Sequence, residues 1–178
     1  MIESAKRHES GVHEECGIFG VISEQKSSLA REVYYGLFAL QHRGQESAGI
    51  AVNVPDRRIA YYKNMGLVNE VFSEEELSLL PDSDIAIGHV RYSTCGSSNV
   101  VNAQPVVFYG RYGRMAIAHN GNIVNAGSIK KWLIDRGHIF QSSVDSEVVA
   151  ALINYYTTSS VENGVQKAAL DFVGAFAV

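Results

Sequence analysis

The β-type runs of this 178-residue chain occur in neighbouring pairs, and this pairing is the strongest constraint on its fold. Residues 47–54 and 57–64 are joined by a Pro-Asp dipeptide, and residues 106–109 and 114–118 are joined by a short Gly-containing segment. Connections this short link antiparallel strands, because parallel strands need a crossover of a dozen or more residues. We therefore predict antiparallel sheets flanked by helices, without the βαβ units of a parallel sheet.

Helices are predicted between these strands from apolar spacing and from capping signals. Leu29, Val33 and Leu37 recur at a spacing of four, which indicates one buried helix face. Ser73 and Glu76 have the spacing of a capping box. Five helices are expected: one from residue 28 to the Arg43-Gly44 pair, one over 73–80, one that ends at Gly137, one that begins near residue 146, and one over 163–171. Further strands are expected over 16–22, 84–92 and 172–178.

Charge and hydropathy exclude several classes of function. The formal net charge is −4, and Lys and Arg are scattered, so the chain has no basic patch for nucleic acid or an anionic membrane. No apolar run approaches the roughly 18 residues of a membrane span. Residues 1–15 are polar and lack the apolar centre of a secretory signal. We expect a cytoplasmic protein that acts on a small molecule, and the six histidines show no metal-ligand spacing.

Cys16 stands where a polar leader meets a strand-like run with glycines at positions 17 and 20. A free cysteine is ordinarily a small buried hydrophobic residue. Removal of the leader would, however, give Cys16 a free α-amine, with a reference pKa of about 8, next to its own thiol, with a reference pKa of about 8.5. The amine could then act as the base for the thiol. We predict a propeptide at residues 1–15 and a nucleophile at Cys16. Cys95 lies in a loop rich in small polar residues, and no disulfide is expected.

Four other sites each have a chemical and a structural interpretation. Asn120-Gly121 can form an oxyanion hole or an Asn-Gly turn, and the dipeptide alone favours the turn. Arg91 can bind a carboxylate or lie exposed at a strand end, which is the default. Asp145 can bind an ammonium group or cap the following helix, and the cap is favoured. Arg43 can contact the site or bond helix-end carbonyls.

Six short motifs follow one another along the chain. They are CGIFG at 16–20, LQHRGQESAGI at 40–50, GHVRYSTCG at 88–96, NAQP at 102–105, HNGNI at 119–123 and DSE at 145–147. In sequence and in order they resemble the motifs of the glutaminase domain of glutamine phosphoribosylpyrophosphate amidotransferases, which are class II, or N-terminal-nucleophile, glutamine amidotransferases. The resemblance extends over residues 16–178, and Tyr92 stands where the glucosamine-phosphate synthase pattern has tryptophan.

The resemblance implies a fold and a set of site residues. The fold would be a four-layer α+β (αββα) N-terminal-nucleophile hydrolase fold, in which two antiparallel sheets pack face to face between helical layers. Cys16 would attack the side-chain amide of glutamine, and Asn120 and Gly121 would form the oxyanion hole. The implied substrate-binding residues are Arg91 for the α-carboxylate, Asp145 for the α-ammonium, Gly121, Thr94 in a loop over the substrate, and Arg43 beside the nucleophile.

The resemblance also implies a larger protein. The apolar strand 172–178 would leave an open edge, so we expect the chain to be truncated within the glutaminase domain and to lack its phosphoribosyltransferase domain. In the full-length protein, a dimer or tetramer, ammonia would go to phosphoribosyl pyrophosphate and give phosphoribosylamine, the first committed step of purine synthesis. No cofactor is expected in this chain. An iron–sulfur cluster, and magnesium with phosphoribosyl pyrophosphate, would have ligands outside it.

Three alternatives remain open at this stage. The same glutaminase can serve another acceptor domain, as in glucosamine-phosphate synthase. A self-processing amidase or peptidase of the same fold would act on a substrate without an α-amino acid head. An inactive regulatory or binding module would retain its leader.

Intact mass separates the last alternative from the others. Removal of the fifteen residues before Cys16 from the 178-residue chain leaves 163 residues. We expect the purified protein to begin at Cys16, as measured by mass spectrometry and N-terminal sequencing. Retention of residues 1–15 in a protein that hydrolyses glutamine would contradict the N-terminal mechanism.

Overall fold

The computed structural model describes residues 16–56, 58–92, 98–110 and 113–178. Within them, the predicted strands and helices occur in the predicted order, with a short helix over Val68–Val71 and a strand over Asn120–Ile123 in addition. The strands are β1 (Gly17–Ser27), β2 (Ser47–Val54), β3 (Arg58–Met65), β4 (Ser83–Arg91), β5 (Val106–Gly110), β6 (Gly113–Ile117), β7 (Asn120–Ile123) and β8 (Gly174–Ala177). The helices are α1 (Leu29–Ala39), α2 (Val68–Val71), α3 (Glu74–Ser78), α4 (Ala126–Ile134), α5 (Asp145–Tyr156) and α6 (Val161–Asp171), with 3₁₀ turns at Gln41–Arg43 and Val100–Asn102.

The main sheet has the strand order β1-β4-β2-β3, and every neighbouring pair is antiparallel. Gly17 lies opposite Val90, and Ser47 lies opposite Arg91. The start of β1, the end of β4 and the start of β2 therefore meet at one end of the sheet. This register brings Cys16 next to the residues that follow Val90.

Helix α1 covers one face of the main sheet and forms the first core with it. The predicted stripe of Leu29, Val33 and Leu37 is fully buried there. The helix lies close because Gly36 faces the ring of Phe19 on β1, where an added Cβ would come 2.5 Å from the ring. The first six residues of β2 are all buried, so the opposite face of the sheet is covered as well.

Two small antiparallel sheets, β5–β6 and β7–β8, follow the main sheet: β6 packs against β3, Asn120 at the start of β7 contacts Cys16, and helix α5 packs against β5 on the outside. Helix α5 supplies most of the second core, and Ile117, Ile123 and Leu133 pack against it. The order is helices, main sheet, small sheets, helices, which confirms the four-layer α+β prediction.

The two hairpins and the helices are confirmed to within a few residues. The expected tight turn at 119–122 is wrong. Asn120 to Ile123 form strand β7, in which Asn120 lies opposite Ala177. The partner strand comes some fifty residues later, so an Asn-Gly dipeptide, which ordinarily indicates a local turn, gives no sign of this pairing. In the part of the chain that the structure describes, no helix is long and apolar enough to cross a membrane.

Two helical glycines provide a test of the α1 packing. Gly127 on α4 has open space around its Cα, whereas Gly36 on α1 faces the Phe19 ring. Gly127→Ala should stabilise the protein by about 0.5–1 kcal/mol through helix propensity. Gly36→Ala should destabilise it by about 1–3 kcal/mol, because overpacking exceeds that gain. Urea unfolding measures both free energies, and equal effects at the two sites would contradict the close approach of α1.

Candidate active site

Cys16 lies directly before β1, partly buried against the end of β4. Its Sγ accepts a hydrogen bond from the Tyr92 backbone N–H (3.4 Å) and lies 3.7 Å from the Tyr92 carbonyl, to which the thiol donates. Burial raises the pKa of the Cys16 thiol, and the Tyr92 hydrogen bond and the charge of Arg91 oppose this rise. The thiol at this position is therefore protonated at neutral pH and needs a base to become a nucleophile.

Asn120 and Arg43 both contact the Cys16 residue. Asn120 Nδ2 donates to the Cys16 carbonyl at 2.7 Å, and Arg43 Nε donates to the same oxygen at 3.3 Å. The two donors reach it from different layers, because Asn120 begins β7 and Arg43 ends the 3₁₀ turn after α1. Three residues singled out from the sequence are thus adjacent in space.

Gly121 occupies a position that only glycine can adopt without strain. Its φ angle of +143° lies in a region that residues with a side chain rarely adopt. An added Cβ would also collide with the Ala175 carbonyl and with Phe176 on β8. The backbone next to Asn120 is therefore set by the pairing of β7 with β8.

Arg91 is buried and paired, so the default expectation of an exposed strand-end arginine is wrong. Its side chain is 4% exposed, and Nη1 lies 3.4 Å from Oε2 of Glu46, which is 12% exposed. Glu46 stands one residue before β2 and donates its backbone N–H to the Arg91 carbonyl (3.0 Å). We did not predict a role for Glu46, although it lies within one of the six motifs.

Asp145 does not cap α5, contrary to the favoured structural interpretation. The N-cap residue is Val144, and Asp145 is the first residue of the helix. Its Oδ2 accepts a hydrogen bond from the Ile123 N–H (3.2 Å), and its Oδ1 lies 3.8 Å from His119 Nδ1. The Asp145 carboxylate, 22% exposed, thus joins β7 to α5 at the edge of the site.

A buried polar network around His119 was not predicted. Gln104 accepts from the His119 N–H (2.7 Å) and donates to its carbonyl (3.0 Å), and His89 Nε2 lies 3.2 Å from the same carbonyl. Ser146 Oγ lies 3.1 Å from His119 Nδ1. These residues fall within the six motifs, but no spacing rule indicates that they meet.

Both histidines of this network are held neutral. Burial lowers the pKa of His89 to about 3. Burial also lowers the pKa of His119, and the nearby charge of Asp145 opposes the shift.

Some predicted site residues cannot be placed. Thr94, Cys95 and the leader at residues 1–15 lie outside the described residues. Among the residues that the structure describes, no three His, Cys, Asp or Glu side chains come close enough to bind a metal, and Cys16 is a free thiol.

The fold and a comparison with protein families together define a class of protein. The family model described as the glutamine amidotransferase domain matches residues 75–178, more than half of the chain. The chain belongs to the glutamine amidotransferase domain family.

Within that class the chain is similar to amidophosphoribosyltransferases. It is 48% identical to the enzyme of Methanocaldococcus jannaschii over 92% of the chain and 35% of that protein, and 42% identical to the enzyme of Bacillus subtilis over 94% and 34%. A solved structure described as the allosteric regulatory enzyme of purine biosynthesis superposes with a TM-score of 0.79 at 40% identity over 90% of the chain and 34% of its own. The chain spans about a third of the length of these relatives.

The buried His89 predicts a pH-dependent stability. Its pKa is about 3 in the folded state and about 6.5 when unfolded, so between these values the unfolded chain binds a proton that the folded protein does not. The free energy of unfolding should therefore fall as pH decreases from 6.5 towards 3, by at most about 1.4 kcal/mol per pH unit from this residue.

Urea unfolding at several pH values measures the dependence. In His89→Gln the free energy of unfolding should fall less steeply as pH decreases than in wild type. His42→Gln is the control: it removes an exposed imidazole and leaves His89 in place, so it should keep the wild-type pH dependence. Identical pH dependence in wild type and His89→Gln would contradict the neutral buried state.

Proposed function

We propose that this domain hydrolyses the side-chain amide of glutamine to glutamate and ammonia through a thioester on Cys16. The observation that supports this most directly is the 2.7 Å hydrogen bond from Asn120 Nδ2 to the Cys16 carbonyl, since it places an amide donor against the backbone of the residue that carries the partly buried thiol. Family membership is consistent with the same chemistry.

The proposal includes cleavage of the bond between Glu15 and Cys16. Burial raises the pKa of the thiol, so Cys16 requires a base, and among the described residues the hydrogen-bond partners of Sγ are the backbone groups of Tyr92, neither of which is a base. Cleavage would release an α-amine on Cys16 itself, with a reference pKa of about 8, to accept the thiol proton. The leader and the nucleophile are in this way parts of one mechanism.

The steps follow from these groups. Sγ attacks the carbonyl carbon of the glutamine amide while the thiol proton moves to the α-amine. The carbon–nitrogen bond then breaks, the α-ammonium returns the proton to the departing nitrogen, and ammonia leaves a thioester. Water attacks the thioester with the α-amine as base, the carbon–sulfur bond breaks, and glutamate is released with the thiol restored.

Asn120 and Gly121 would stabilise the negative oxygen in both halves of the reaction. The Asn120 amide and the Gly121 backbone N–H are proposed as its donors. The strand pairing that requires glycine at 121 supports this role, because it holds the backbone beside Asn120 in one conformation. Preorganised donors cost no reorganisation when charge develops.

Arg91 and Asp145 would bind the two charges of the amino acid head. Glu46 holds the Arg91 guanidinium in a buried pair, the next residue, Tyr92, contacts Cys16 Sγ through its backbone, and a guanidinium binds a carboxylate through its planar fork. Asp145 has a partly exposed carboxylate for the α-ammonium. Thr94 and Arg43 are proposed in supporting roles, Thr94 over the substrate and Arg43 beside the Cys16 carbonyl.

For the whole protein we propose transfer of the ammonia to phosphoribosyl pyrophosphate, giving phosphoribosylamine for purine synthesis. The names of the relatives support this acceptor over that of glucosamine-phosphate synthase. A phosphoribosyltransferase domain and further copies of the chain are the proposed partners, and the proposed location is the cytoplasm. An iron–sulfur cluster, or magnesium, would be bound outside this chain.

Cys16→Ala tests the mechanism. We expect it to abolish glutamine hydrolysis by the processed full-length protein, because the nucleophile is lost, with unchanged circular dichroism. Cys95→Ser is the control and should retain activity. Activity surviving in Cys16→Ala would rule out the thioester route.

The same assay separates a glutaminase from a general amidase. Asn120→Ala should lower kcat by about 10²–10³-fold, as loss of an oxyanion donor does. Arg91→Ala and Asp145→Ala should raise KM for glutamine. A self-processing amidase would instead keep turnover of its own amide, one without an α-amino acid head, in both Arg91→Ala and Asp145→Ala, and an unchanged KM for glutamine in both would contradict binding of the amino acid head by these residues.

A further inference from the structure

Gln104 lies before β5, 5% exposed, with its side-chain amide against the backbone of His119. Its Oε1 accepts from the His119 N–H at 2.7 Å, and its Nε2 donates to the His119 carbonyl at 3.0 Å. The backbone N–H can only donate, which settles the orientation of the amide. Gln104 thus binds both peptide groups that flank His119, including the one that continues into Asn120.

The backbone of Gln104 is in turn attached to the main sheet. Lys63 Nζ on β3 donates to the carbonyls on either side, those of Ala103 (2.5 Å) and Pro105 (3.3 Å). The Gln104 carbonyl lies so close to Gly49 on β2 that a Cβ there would collide with it. The side chain of Gln104 therefore extends from a fixed support on one layer to the peptide that precedes β7 in the next.

A continuous path of contacts leads from this support to the nucleophile. Gln104 holds the His119–Asn120 peptide, and Asn120 Nδ2 contacts the Cys16 carbonyl. A hydrogen-bond donor that stabilises an oxyanion must be placed to within a fraction of an ångström. Rotation of this peptide would displace the Asn120 side chain, whereas Arg91 stands on β4 and Asp145 is also held by the N–H of Ile123 at the far end of β7.

We propose that Gln104 is a positioning residue that holds Asn120 in its orientation toward the oxyanion, and this role rests on the proposed glutaminase function. Loss of its two hydrogen bonds should lower kcat while KM for glutamine changes little. A residue that only stabilises the fold would not produce this separation of kcat from KM.

Gln104→Glu gives a readout specific to the hydrogen-bond pattern. When protonated, the introduced carboxyl keeps both bonds, since its O–H can donate to the His119 carbonyl. The ionised form has no donor and places negative charge against that carbonyl. Burial raises the pKa of such a carboxyl. Activity should therefore be present below that pKa and be lost as pH rises through it.

The titratable groups around position 104 come from four segments of the chain. His89 on β4 and His119 after β6 are held neutral by burial. Lys63 on β3 binds the backbone on both sides of position 104, and burial lowers its pKa. Asp145 lies beyond His119. A new ionisation in kcat that is present in Gln104→Glu and absent from wild type therefore belongs to the introduced carboxyl.

The experiment measures kcat and KM for glutamine from about pH 6 to 9 in the processed full-length protein. We expect Gln104→Glu to lose about 10- to 1,000-fold in kcat at the high end and to recover at the low end, with KM within about twofold of wild type. Gln166→Glu, an exposed change on α6, is the matched control and should follow the wild-type profile.

Gln104→Met provides a second variant if Gln104→Glu does not fold. Methionine has a similar length but forms neither bond, so kcat should be low at every pH with little change in KM. Wild-type kcat in Gln104→Met, or a wild-type pH profile in a folded Gln104→Glu, would overturn the positioning role while Cys16-dependent turnover stands. A wild-type protein without Cys16-dependent turnover would overturn the proposed function and this role together.

Discussion

The hydrogen bond from Asn120 Nδ2 to the Cys16 carbonyl joins residues 104 positions apart, and the rest of the site depends on it. It connects the end of the main sheet to the small sheets of the next layer. Neither partner can reach the other unless β1 pairs with β4 and β7 pairs with β8. The position of the thiol therefore follows from packing of the two layers, and both layers have their own hydrophobic core.

The interface between these layers is polar and buried, which limits what can occupy it. His89, Gln104 and His119 are all buried, and hydrogen bonds connect them. Buried polar groups are costly unless they are paired, and once paired they favour a single arrangement. Burial keeps both histidines neutral, whereas Arg91 lies in a salt bridge with Glu46. A buried salt bridge adds little stability by itself, but removing one partner is costly because the other is left uncompensated.

Several local features could be predicted because they depend on neighbours in sequence. The hairpin of β2 and β3, the stripe of α1 and the capping box at Ser73 and Glu76 all follow from short-range rules. The errors came where a distant partner decided the outcome. The Asn120-Gly121 dipeptide predicts a turn, but in the structure it pairs with β8. Arg91 is expected at an exposed strand end, but in the structure it is buried and paired with Glu46. Asp145 resembles a cap, but its carboxylate bonds to Ile123 instead.

By itself the sequence determined the antiparallel class, the order of the elements and the set of motifs that resemble a glutaminase. Apolar periodicity and turn residues determine structure over a few neighbouring positions, so the elements that depend on them can be predicted from a single sequence. Only the tertiary structure decided which of those motifs meet, that Glu46 pairs with Arg91, and that Gln104 holds the peptide before Asn120. The reason is physical. Strand register and the docking of one layer on another are set by contacts between residues far apart in sequence, and such contacts leave no periodic pattern in the chain.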